Sequence, residues 1–145
     1  MTTATLAFAA PNVASAALAP RLDAVTGVPR MLLRIEGLAM LGAAAAAYRA
    51  TGGTWGHFAA MFLVPDLSML GYLAGPRVGA AVYNAGHALV GPAVLAALAL
   101  RTGSTSTLGL ALIWVAHIGF DRAAGYGLKY ARAFGDTHLG RVGRG

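Results

Sequence analysis

The chain has 145 residues, 57% of them hydrophobic and 11% charged, with a mean hydropathy of +0.64. Soluble domains carry about 25% charged residues, so this composition argues for one membrane domain and against a soluble one. The net charge of +6 comes from basic residues standing singly between apolar segments, which excludes a phosphate-tracking stripe for nucleic acid, and the lack of cysteine excludes disulfides, thiolate catalysis and cysteine-ligated zinc.

Residues 1–29 are rich in Ala and Thr and are broken by Pro11, Pro20 and Pro29. No basic stretch precedes their apolar runs, so they do not read as a signal peptide, and each run is too short to cross a bilayer. The expectation is a partly disordered tail with a short interfacial helix. The transmembrane domain is expected over residues 30–130, with a polar cytoplasmic tail over 131–145. The first predicted span covers residues 31–49, flanked by Arg30, Arg34 and Arg49, with a small-residue surface at 43–47 suited to close helix approach. Thr51-Gly-Gly-Thr is a turn. The second span covers residues 55–74. Pro65 falls near its middle and should kink it beside Asp66. Gly75-Pro76-Arg77 is a tight turn into the third span, 78–100, in which Asn84 and His87 share a face and Pro92 introduces a second kink. A polar loop follows, and the fourth span covers residues 108–128. In it His117 and Asp121 stack on one face four residues apart, with Arg122 about a quarter-turn away. The fold class is therefore all-α: a polytopic membrane protein forming an antiparallel bundle of four transmembrane helices with short loops.

Arg21, Arg30, Arg34, Arg77, Lys129, Arg132, Arg141 and Arg144 gather on the side of the termini, against Arg49 and Arg101 on the other. The positive-inside rule places both termini in the cytoplasm, with the chain multi-pass in the cell (inner) membrane. At 1.5 Å rise per residue, Glu36 lies about 9 Å inside its helix, Asp66 about 12 Å, Asn84 and His87 about 10 and 15 Å, and Asp121 and His117 about 8 and 14 Å. All four helices thus bring polar groups to one layer in the cytoplasmic half. Ionisable groups at such depth are functional candidates by default. Their signs require pairing, such as Arg122 with Glu36 or Asp66, and one remaining carboxylate must meet a proton, a histidinium or a cation.

The segments R-I-E-G-L (Arg34–Leu38), P-D-L-S-M-L-G-Y-L-A-G-P-R-V-G-A (Pro65–Ala80), Y-N-A-G-H (Tyr83–His87), H-I-G-F-D-R-A-A-G-Y-G-L-K-Y (His117–Tyr130) and D-T-H-L-G (Asp136–Gly140) resemble a family of small bacterial integral membrane proteins, the domain-of-unknown-function 4260 family. The resemblance covers the chain from about Met31 onwards. It implies a membrane fold and singles out these polar residues, but implies no reaction.

Three functional classes fit these residues. In the first, the chain is an intramembrane enzyme for a lipophilic small molecule, with His117, Asp121, Asp66 and His87 as catalytic groups, His117 as general base or acid oriented by Asp121, and Glu36, Asn84, Arg122 and Arg34 as the surrounding polar network. In the second, it is a small carrier coupled to protons or cations through Asp66 or Glu36. In the third, it is a structural or assembly subunit whose polar layer specifies packing. The residues do not specify a cofactor. A metal site, if present, would draw on His87, His117, Asp66, Asp121 and Glu36, although the E-x-x-H of bundle di-metal proteins is missing. The expected partners are the lipid bilayer, a lipophilic small molecule and a second copy of the chain; nucleic acid is not among them.

Overall fold

A computed structural model describes residues 24–142; residues 1–23, which hold most of the expected N-terminal tail, and residues 143–145 lie outside the described residues. The described chain is helical up to residue 124. Helix α1 (Gly27–Ala50) is followed by α2 (Trp55–Phe62), a 3-10 segment (Val64–Ala74), α3 (Pro76–His87), α4 (Val90–Thr102) and α5 (Thr105–Ala124). A two-stranded antiparallel ribbon, β1 (Asp136–Thr137) with β2 (Gly140–Arg141), closes it.

Three helical stretches are long and apolar enough to cross a membrane: Gly27–Ala50, Trp55–Ala74 and Pro76–Thr102. The last two are each interrupted, and proline chemistry explains where. Pro65 has no N–H for the carbonyl of Met61 and its ring crowds that turn, so α2 stops at Phe62 and the chain tightens into a 3-10 helix in which the Asp66 N–H bonds Leu63 at 3.1 Å. Pro92 likewise cannot donate to Ala88. The third span therefore breaks at Ala88–Leu89, one turn before the proline, and not at the proline itself.

Helix α5 is the axis of the fold. It packs against α1, α4 and α2, while α3 packs against the 3-10 segment. Its buried face carries Gly109, Ala111, Ile113, Ala116, His117, Ile118 and Gly119. It is not among the three strongly apolar stretches, because its own sequence includes the polar residues His117, Asp121 and Arg122. Contact with α1 is backbone-close. A Cβ on Gly119 would meet the Leu41 nitrogen at 2.7 Å and the Gly37 oxygen at 2.8 Å, and a Cβ on Gly37 would meet the Ala123 nitrogen at 2.7 Å. Close approach of this kind is how helices associate where no hydrophobic drive separates them from their surroundings. Large apolar side chains instead cover the outside, among them Leu73 (89% exposed), Leu100 (75%) and Val90 (72%).

Gly125, at φ 97°, ends α5 in a left-handed cap, three residues before the expected end of the fourth span. The chain then folds back over the bundle. Asn84 clamps it with two hydrogen bonds, Nδ2 donating to the Lys129 carbonyl at 2.9 Å and Oδ1 accepting from the Lys129 N–H at 2.7 Å. Leu139 is fully buried, and His138 Nδ1 accepts the Leu128 N–H at 2.9 Å. Burial, with Arg122 adding to it, holds the His138 imidazole below its ordinary range. A free tail, whose histidine has a pKa of about 6.5, therefore binds a proton that the docked tail does not. The docking stability is complete above that value and is lost as pH falls through the lower, docked one. Amide hydrogen exchange over residues 126–142, corrected for intrinsic rate, should rise on acidification below about pH 6.5 and should lose this response in His138→Gln. Asn84→Leu should weaken docking at every pH by about 1–3 kcal/mol, because it strands two buried backbone groups.

Candidate functional site

The two proline breaks and the axis helix meet at one point. Asp66 comes from the 3-10 segment, His87 is the last residue of α3, and His117 and Asp121 lie one turn apart on α5. Their ligand-type atoms all lie within 4.8 Å of one another. His117 Nε2 faces His87 Nε2 at 3.1 Å. His87 Nε2 stands 3.5 Å from Asp66 Oδ1 and 3.4 Å from Asp121 Oδ2. His117 Nε2 stands 3.6 Å from Asp66 Oδ1 and 3.9 Å from Asp121 Oδ2. The helical neighbour of His117 is thus not its nearest carboxylate; Asp121 lies closer to His87. Both imidazoles are buried, and Asp66, at 31% exposure, is the most open member.

Only His87 has its other ring nitrogen hydrogen-bonded to main chain. His87 Nδ1 bonds the Tyr83 carbonyl at 2.9 Å. His117 Nδ1 is buried beside the Phe62 carbonyl, without reaching good hydrogen-bond geometry. The Asp66 N–H, which a continued α-helix would give to that carbonyl, bonds Leu63 instead. A carbonyl on Nδ1 favours the tautomer with its proton there, so the His87 ring turns an Nε2 lone pair inward.

Around the four stand residues that the sequence reading passed over. The Tyr83 hydroxyl donates to Asp121 Oδ2 at 3.1 Å, and its ring stacks on His87 at a centroid distance of 3.7 Å. Ser68 Oγ lies 3.5 Å from His87 Nδ1, and Phe62 packs edge-on to His117. Tyr83 is one turn before His87, so the one-face rule used for Asn84/His87 reaches it too. Lys129 has no such local signal. Its Nζ donates to the Phe134 carbonyl at 3.0 Å and lies over the rings of Phe134 and Tyr83 at 3.4 and 4.5 Å. Burial pushes its ammonium below the ordinary lysine range, against the pull of Asp121 and Asp66.

Other expected members stay outside. Glu36 is exposed on α1 and has no ion-pair partner among the described residues. Arg122 pairs with neither Glu36 nor Asp66; its Nη1 lies 3.9 Å from Met40 Sδ. Arg34 Nε donates to the Ala123 carbonyl at 2.8 Å, satisfying the last turn of α5. Asn84 is spent on the tail. The reason is azimuth: Glu36 adjoins Gly37, which is pressed against α5, and one residue rotates a side chain by about 100°. Of the expected metal set, Asp66, His87, His117 and Asp121 therefore remain as the residues that could hold an ion.

An apolar groove of about 180 Å³ is lined by Met61, Val64, Pro65, Leu95, Leu110, Ile113 and Trp114; none of the four cluster residues lines it, and Pro65, the residue before Asp66, is its link to the site in the chain. The Trp114 indole N–H donates to the Gly86 carbonyl at 2.6 Å, so this wall is fixed to the end of α3 that carries His87.

No curated protein and no solved structure matches the chain. One family does, under the description "Domain of unknown function (DUF4260)", and its match runs over residues 30–142. That span contains all of the described helices except the first three residues of α1, and all four members of the buried cluster, and the chain belongs to the DUF4260 family.

Proposed function

We propose that the chain is a multi-pass protein of the cell (inner) membrane and that its Asp66/His87/His117/Asp121 cluster carries out acid–base chemistry on a lipophilic small molecule. The observation that carries this reading is the convergence of two imidazoles and two carboxylates, mostly buried; an apolar groove begins at Pro65, the residue before Asp66. Acid–base catalysis needs a proton acceptor and a donor within reach of one reacting atom, in a place that excludes bulk water. His87 supplies an inward lone pair, and His117 turns its Nε2 to the same point. Asp66, the most exposed member, sits where a proton can enter or leave. Asp121, held by Tyr83, is the fixed charge that orients the imidazoles. Val64, at the groove, is 47% exposed, so the groove reaches the outer apolar surface, the side from which a lipophilic substrate would come.

In this reading α5 is the fourth span of an antiparallel bundle. Its 20 residues cover about 30 Å, enough for a hydrocarbon core, and its polar face is turned to its neighbours. The arginine asymmetry supports cytoplasmic termini. Reporter fusions at Gly145 should read cytoplasmic and fusions within residues 103–106 should read external; the reverse would overturn the orientation.

One observation favours a second reading, a proton- or cation-coupled carrier: two helices break beside the cluster, and discontinuous helices line many carrier sites. The two readings separate in cells. Organic-soluble extracts of cells producing the wild-type chain should contain a product that His117→Ala and Asp121→Asn cells lack, with the substrate accumulating in its place. Identical extracts alongside variant-sensitive proton or cation uptake into vesicles would replace the enzyme by the carrier.

A further inference from the structure

Within the cluster only one contact, between the two imidazoles, is of hydrogen-bond length. Direct N–H···O bonds span about 2.7–3.2 Å, whereas the four histidine–carboxylate separations here run from 3.4 to 3.9 Å. The one short separation, 3.1 Å, joins two imidazole nitrogens that both present lone pairs when their protons sit on Nδ1. Two lone pairs and two carboxylates facing a common point repel one another unless something positive lies between them.

The same distances fit a tetrahedron. An ion with four bonds of about 2.0–2.1 Å to imidazole nitrogen and carboxylate oxygen sets its ligand atoms about 3.3–3.4 Å apart. Five edges of the cluster, from 3.1 to 3.9 Å, scatter around that value, and no edge exceeds 4.8 Å. Charge agrees, since two carboxylates and two neutral imidazoles balance a divalent ion. The outer shell agrees as well. Ligating histidines commonly give their second nitrogen to a carbonyl, and ligating carboxylates are themselves hydrogen-bonded; here His87 Nδ1 meets the Tyr83 carbonyl and Asp121 accepts from the Tyr83 hydroxyl. Imidazole donors favour a first-row transition ion over magnesium or calcium.

We propose that Asp66, His87, His117 and Asp121 bind one divalent first-row transition-metal ion, such as zinc, in tetrahedral geometry. His87, His117 and Asp121 are its buried ligands. Asp66, on the irregular 3-10 segment and the most exposed of the four, is the exchangeable one. The ion's part in chemistry, unlike its binding, rests on the acid–base reading above: held by these residues, it would supply Lewis-acid activation of a water at the position Asp66 exchanges, where the Asp66 carboxylate is placed to accept the water's proton.

Cobalt(II) is the probe. The full-length chain, purified in detergent and stripped with chelator, should take up one equivalent of Co²⁺ with the intense visible absorption of tetrahedral coordination, and equimolar Zn²⁺ should displace it. His117→Ala and Asp121→Asn should weaken uptake more than about 100-fold, beyond what loss of an outer-shell partner costs. Asp66→Asn, which leaves the buried ligands in place, should weaken it about 10-fold, and Glu36→Gln not at all. Helical circular dichroism identifies variants that have not folded, and the wild-type stoichiometry and Asp66→Asn decide the matter without them. Absent uptake, the weak spectrum of octahedral cobalt, or equal uptake by wild type and folded His117→Ala overturns the proposal. Failed cobalt uptake with a product still dependent on His117 removes the metal and leaves the acid–base reading. Specific uptake with unchanged extracts does the opposite.

Discussion

Two carboxylates and two imidazoles brought together among mostly apolar helices are the constraint to which the rest of this structure conforms. Leaving one such group without its partner costs about 3–5 kcal/mol, a large share of the stability of a domain this size. The surrounding elements are arranged to prevent that. The 3-10 segment places Asp66, the break after α3 frees the end on which His87 sits, and the axis helix supplies His117 and Asp121 together.

Both prolines act on the site through what they remove. Pro65 denies a hydrogen bond to the backbone ahead of it, and Asp66 bonds Leu63 in place of Phe62, which brings Asp66 round in a tighter turn. Pro92 ends α3 at His87, one turn upstream of itself. The small residues of α1 and α5 do the complementary work. With Gly37 and Gly119 in contact, α1 seals the side of α5 away from the cluster. The tail then closes the end, since Asn84 holds Lys129 over Tyr83, the tyrosine that bonds Asp121.

Much of this is legible in the sequence. The family is legible in its sequence segments, and the three strongly apolar stretches, the His117/Asp121 turn and the irregularity at Pro65 follow from hydropathy, spacing and proline chemistry. Depth along each helix also brings Asp66, His87, His117 and Asp121 to one level. Depth says nothing about rotation about the helix axis, however, and that is why Glu36 has the right height and the wrong direction. Arg122 differs for a related reason. Its quarter-turn offset from Asp121 carries it towards Met40 on α1 and away from the carboxylates. The folded tail was beyond pattern reading, because its anchors are backbone groups of Lys129 and Leu128, which no side-chain periodicity marks.

The central claim is that His87 and His117 form one unit, each with its proton on Nδ1 and its Nε2 turned to a shared point. Nitrogen-15 NMR of histidine-labelled protein tests it directly, with the chain's four histidines assigned by single substitutions. The account predicts that the His87 and His117 Nε2 signals are both of the unprotonated type near neutral pH, and that replacing either histidine by Gln shifts the other's Nε2 signal while His57 and His138 stay in place. Protonated Nε2 on both rings, or a His117 signal indifferent to His87, would contradict it.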